Sequence, residues 1–67
     1  MISVTVNGEK REVPQMVTLD RFLELFSFPA QRIAIEVNNV VIRRADWPAT
    51  TIKEGDKIEV VHFVGGG

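Results

Sequence analysis

A single helical stripe lies between two stretches of alternating residues, and this change of period limits the architectures open to the chain. Leu19, Phe22, Leu23 and Phe26 recur at the spacing that gathers apolar side chains on one face of a helix. Thr18 is the natural N-cap, and Asp20 lies in the first turn, where the helix dipole favours a negative charge. Arg21 occupies the place of the capping-box acid, so the reciprocal box is absent. Leu25 flanks the stripe and is expected to widen the apolar face. Pro29 closes the segment, because the residue before a proline, here Phe28, is biased out of helix. A Phe/Leu stripe of this kind reads as core.

On both sides of the helix the period is two. Ile2, Val4 and Val6 alternate with Ser3 and Thr5, which predicts a half-buried strand. Asn7-Gly8 is a hairpin signal, since both residues tolerate positive φ. Lys10 to Val13 is the expected return strand, charged as suits a sheet edge, and Pro14 ends it. After the helix, Ile33, Ile35 and Val37 alternate with Ala34 and Glu36. Asn38-Asn39 is a second turn signal, weaker for want of glycine, and Val40 to Ile42 is the strand that follows it. Arg43 to Thr51 is irregular, with a turn expected at Asp46-Trp47-Pro48 and the indole acting as a packing anchor. Lys53-Glu54-Gly55-Asp56 is a glycine turn leading into a last strand from Lys57 to Val64.

The order strand, strand, helix, strand, strand, loop, strand predicts an α+β fold. It is a mixed sheet of four to five strands with one main helix packed on one face. The helix is the right-handed crossover that lets the first and last strands run parallel. That is the β-grasp (ubiquitin-like) topology, with the last strand central. With 67 residues there is one domain. A chain of this size buries only about 60% of its unfolded surface, so modest stability is expected.

In the last strand Ile58 and Val60 alternate with Lys57 and Glu59, but Val61 and Phe63 then fall on the polar side. Either a bulge shifts the register or apolar groups face outward; the reading adopted is an outward patch for docking a partner, formed by Val61, Phe63 and Val64. Gly65, Gly66 and Gly67 follow without a polar spacer. The expected division is a domain over 1–64 and a flexible glycine tail over 65–67. Backbone without Cβ can thread a narrow channel, and three extended residues reach about 10 Å. The group so delivered is the Gly67 carboxylate, a poor acyl donor that needs activation, for instance adenylation by ATP on another enzyme.

Composition narrows the classes further. A net charge of −1 gives no electrostatic footprint for nucleic acid. No apolar run is long enough for a membrane span, and Met1-Ile2-Ser3-Val4 has no signal-peptide character, so a cytoplasmic location is expected. The chain contains no cysteine, and therefore no disulfide or thiol nucleophile. His62 is the only histidine and is expected to be an exposed strand residue. The carboxylates show no metal-ligand spacing, no serine sits in a nucleophile motif, and the glycines precede no helix that would make a phosphate loop. Arg43-Arg44 reads as a solvated pair. No bound cofactor, metal or catalytic residue is expected.

The strand entering Asn7-Gly8, the helix with Leu19 and Leu23, the turn Glu54-Gly55-Asp56 and the ending Val61-His62-Phe63-Val64-Gly65-Gly66-Gly67 together resemble the ThiS family. These are the ubiquitin-like sulfur carriers of thiamine biosynthesis. The resemblance covers the whole length and is most specific at the ending, although many members stop at two glycines. It implies a non-catalytic carrier. An E1-like adenylyltransferase (ThiF type) would use Mg-ATP to adenylate Gly67. Sulfur from a donor such as a cysteine desulfurase persulfide would then give a thiocarboxylate. Thiazole synthase (ThiG type) would take the sulfur. Gly65 and Gly66 would thread into the partner. Two alternatives stand beside it: a carrier serving molybdopterin or another sulfurated product, and an interaction module whose glycines are an inert end.

Overall fold

The computed structural model describes residues 1–29 and 31–63. Its elements run β1 (Ile2–Val6), β2 (Glu9–Val13), α1 (Leu19–Leu25), β3 (Ile33–Val37), β4 (Val40–Ile42), the 3-10 helix η1 (Arg44–Ala49) and β5 (Lys57–His62). The five strands make one mixed sheet in the order β2-β1-β5-β3-β4. β1 and β5 are parallel, while the other neighbouring strands are antiparallel. The β-grasp arrangement is therefore present, with β5 in the middle.

Both hairpins turn on backbone that most residues avoid. Asn7 and Gly8 take φ of 50° and 85°, the pair of positive values that matches a tight turn to the twist of its strands. Asn38 and Asn39 do the same at 53° and 70°, so the second hairpin closes without glycine. The edge strand β2 is exposed at Glu9, Lys10, Arg11 and Glu12 and buries only Val13. The opposite edge, β4, is apolar, with Val40 and Val41 exposed.

Helix α1 buries Leu19, Phe22 and Leu23, and Phe26 and Phe28 pack against the same cluster. Phe22 is fully buried, with its ring 4.8 Å from that of Phe26. Leu25 corrects the sequence reading: it is exposed. A two-turn helix lays a narrow strip on the sheet, and Leu25 lies about 110° around the axis from the centre of that strip. Thr18 holds the N-cap position, but its hydroxyl makes no capping bond and donates instead to the Asp20 carboxylate. That hydrogen bond is the main cause that holds Asp20 below its ordinary carboxylate value. The helix start is tied down by backbone instead, since Leu19 N–H donates to Thr50 O at 3.0 Å.

The irregular segment is more ordered than the sequence implies. η1 spans it, and Trp47 is buried as the expected anchor. Its Nε1 donates to Ile42 O at 3.0 Å, and the Arg44 guanidinium lies 4.6 Å from the ring centroid. Arg44 is thus a stacked residue as well as a solvated one. Val4, Val6, Val13, Val17, Ile33, Ile35, Ile52 and Ile58 complete the core between sheet and helix. No described helix is long and apolar enough to cross a membrane.

Candidate functional site

The residues singled out at the C-terminal end depend on how β5 is held. On one side β3 pairs with it in unbroken register, from Val37 opposite Ile58 to Ile33 opposite His62. No bulge intervenes, so the alternation continues and Val61 falls on the face away from the core, opposite Ala34. Phe63 lies just beyond the strand, yet its N–H still donates to Arg32 O at 2.7 Å. Val61 and Phe63 are 47% and 54% exposed, so the outward alternative holds for both. His62 is exposed as well. The strand ends two residues earlier than the expected Val64. Val64, Gly65, Gly66 and Gly67 lie outside the described residues.

On its other side β5 is fixed by a residue the sequence reading saw only as a turn former. β1 pairs with β5 at Thr5 opposite Lys57 and Val6 opposite Ile58, and then turns away. Asn7 N–H donates to Ile58 O at 2.9 Å, and its Oδ1 accepts from Val60 N–H at 2.8 Å. The asparagine side chain thus replaces the missing strand for one ladder step. Without it, the half-buried Val60 N–H would lose its partner. Asn38 does a comparable task at the other end of β5, with Oδ1 accepting from Lys57 N–H and Nδ2 donating to Asp56 Oδ1, both at 3.0 Å. The only sequence signal was the choice of Asn over other turn residues at both hairpins.

The arrangement is a rigid central strand, clamped on both sides, whose last described residues present apolar side chains to solvent. Among the described residues, no three His, Asp or Glu side chains gather as a metal site. The model of the ThiS family matches residues 4–67, which takes in nearly the whole chain and its glycines. The chain belongs to the ThiS family.

Solved structures and relatives agree with this membership. The crystal structure of a thiamine biosynthesis protein (ThiS) from Geobacter metallireducens superposes with a TM-score of 0.89 at 32% identity, covering 98% of this ThiS-family chain and all of that one. A chain named uncharacterized protein ycf40 in Porphyra purpurea is 35% identical over 66 residues, 93% of its length. A protein named thiazole synthase from Magnetococcus marinus is 36% identical over 66 residues, but this chain spans only 20% of that relative's length.

Proposed function

We propose that this protein is a sulfur carrier of thiamine biosynthesis and that its working group is the Gly67 carboxylate. The observation that carries the reading is the extent of the family match, which includes Gly65, Gly66 and Gly67. The likeness to a thiamine biosynthesis protein over the full fold supports it.

In this reading the carboxylate attacks the α-phosphate of ATP on an E1-like adenylyltransferase, forming an acyl-adenylate and releasing pyrophosphate. The terminal sulfur of a persulfide displaces AMP, and reduction of the resulting acyl disulfide by a thiol leaves a thiocarboxylate. Thiazole synthase then accepts that sulfur. The carrier's own contribution is placement. The clamped β5 fixes where the tail departs, Val61, Phe63 and Val64 dock, and Gly65 and Gly66 enter a channel too narrow for a Cβ. Chemistry resides in the partners, and the carrier is not itself an enzyme. The names of the longer relatives support thiazole synthase as the acceptor.

Extension of the chain by one residue beyond Gly67 tests the reading. The extended protein is expected to fold and to bind its partners with little change, yet not to be activated. Undiminished adenylation of the extended chain's new terminal carboxylate, or full support of thiazole formation, would overturn it.

A further inference from the structure

The sheet register sets two glutamates opposite one another on the face away from the helix. Val41, Glu36 and Glu59 lie in one row across β4, β3 and β5, because each is directly opposite the next. In the adjoining row Ala34 faces Val61. The core-facing partners of these rows are Ile35 and Ile58, both fully buried, so the rows of Val41 and Val61 form the open face. Like charges directly opposite on neighbouring strands destabilise a sheet. Among the described residues, the ion pairs are Arg11 with Glu9 and Arg21 with Glu24, and neither involves Glu36 or Glu59. Lys57, two positions before Glu59 on the same strand face, turns its Nζ to Asn39 Oδ1 at 3.3 Å. The two half-buried glutamates are bordered by apolar side chains, Val41 at 62% exposure and Val61 at 47%.

Resting on the proposed function, we infer that Glu36 and Glu59 together form a seat for one cationic side chain of thiazole synthase, with Val41 and Val61 packing against apolar groups around it. An arginine suits the seat, since its planar fork can meet two carboxylates at once. Val61 borders the seat and leads toward the tail, so a partner that handles the C-terminal end covers this face. The occupant is thiazole synthase because, in relatives bearing that name, the region resembling this chain is part of the same polypeptide. Binding thereby brings a counter-charge to two neighbouring carboxylates that no described ion pair engages.

The test measures the affinity of the full chain for thiazole synthase of the same organism, by calorimetry at low and moderate salt. Wild type is compared with Glu36→Gln, Glu59→Gln and Glu12→Gln. Glu12 is opposite Ser3 on the same sheet face but at the β2 edge, so it controls for net charge. Glu36→Gln and Glu59→Gln are expected to bind about tenfold more weakly with a shallower salt dependence, while melting no lower than wild type. Glu12→Gln is expected to bind as wild type does. Equal affinity in all four proteins overturns the seat, as does equal loss in Glu12→Gln. A defect confined to adenylation also overturns it by assigning the pair to the activating enzyme, and so does absence of wild-type binding to the synthase. Mass analysis of wild-type thiocarboxylation, run in parallel, separates the two readings. If the thiocarboxylate forms and the Gln variants bind normally, only the seat fails; if it never forms, the carrier reading fails.

Discussion

The two faces of β5 are built from the same strand and have opposite demands on them. Toward the helix, Ile58 is fully buried and Val60 packs against the core. Away from it, Lys57, Glu59 and Val61 face solvent or lie half-covered, and Phe63 continues that exposure beyond the strand end. A chain this small has few apolar residues to spare, so leaving Val61 and Phe63 outside is a costly arrangement for a domain with only folding to satisfy. The comparison separates residues that hold the strand from residues that use it, and substitutions on the two faces should separate stability from binding.

The largest effect is expected on the buried face. Ile58→Ala should destabilise the domain by about 3 kcal/mol, read by denaturant unfolding, while the fraction still folded binds partners normally. A loss below about 1 kcal/mol would show that the core collapses readily around the site. Asn7→Gly keeps the positive φ of the turn but removes the acceptor for Val60 N–H. It should cost about 1–2 kcal/mol and speed amide exchange at Val60. Unchanged exchange at that amide would remove Asn7 from its clamping role.

On the open face the effect moves from stability to association. Phe63→Ser should weaken partner binding about tenfold while changing stability by less than about 0.5 kcal/mol. A large fall in melting temperature with unchanged affinity would place Phe63 with the core after all. Asn39→Gly, which relaxes the φ of 70° in the second hairpin, should stabilise by about 0.5 kcal/mol, read by denaturant unfolding.

The smallest effect concerns pH. Asp20 has a lowered carboxylate pKa in the folded state, chiefly from the Thr18 hydroxyl. Its contribution is therefore present above the unfolded value and lost as pH falls through the lower folded value. Asp20→Asn should lower stability slightly near neutrality, read by denaturant unfolding across pH, and flatten the acid limb as the two proteins converge below the folded value.

Much of this division could be read from residue order. The Leu19, Phe22, Leu23 stripe, the alternation of β1 and β3 and the glycine turn at Gly55 each state one local preference that the tertiary fold then uses. The outward placement of Val61 and Phe63 was legible as a break in alternation, because a strand without a bulge must continue its pleat. Leu25 was misleading: hydrophobicity at a helix flank does not say how wide a strip the sheet can cover. The 3-10 helix around Trp47 escaped because neither period marks a six-residue turn of that kind. The clamping by Asn7 and Asn38 was hidden for a different reason. A side-chain bond to a residue 53 positions away has no local signature, whereas the turn that the same asparagine makes does.

In the proposed cycle the C-terminal carboxylate is the group acted upon. The direct measurement is the intact mass of wild type and Gly66→Ala after incubation with ATP, the adenylating enzyme and a persulfide donor. Wild type is expected to exchange one oxygen for one sulfur at Gly67, and Gly66→Ala to fold normally yet convert poorly. Wild-type protein that never gains sulfur, or conversion of Gly66→Ala at the wild-type rate, would contradict a threaded tail as the working end of this domain.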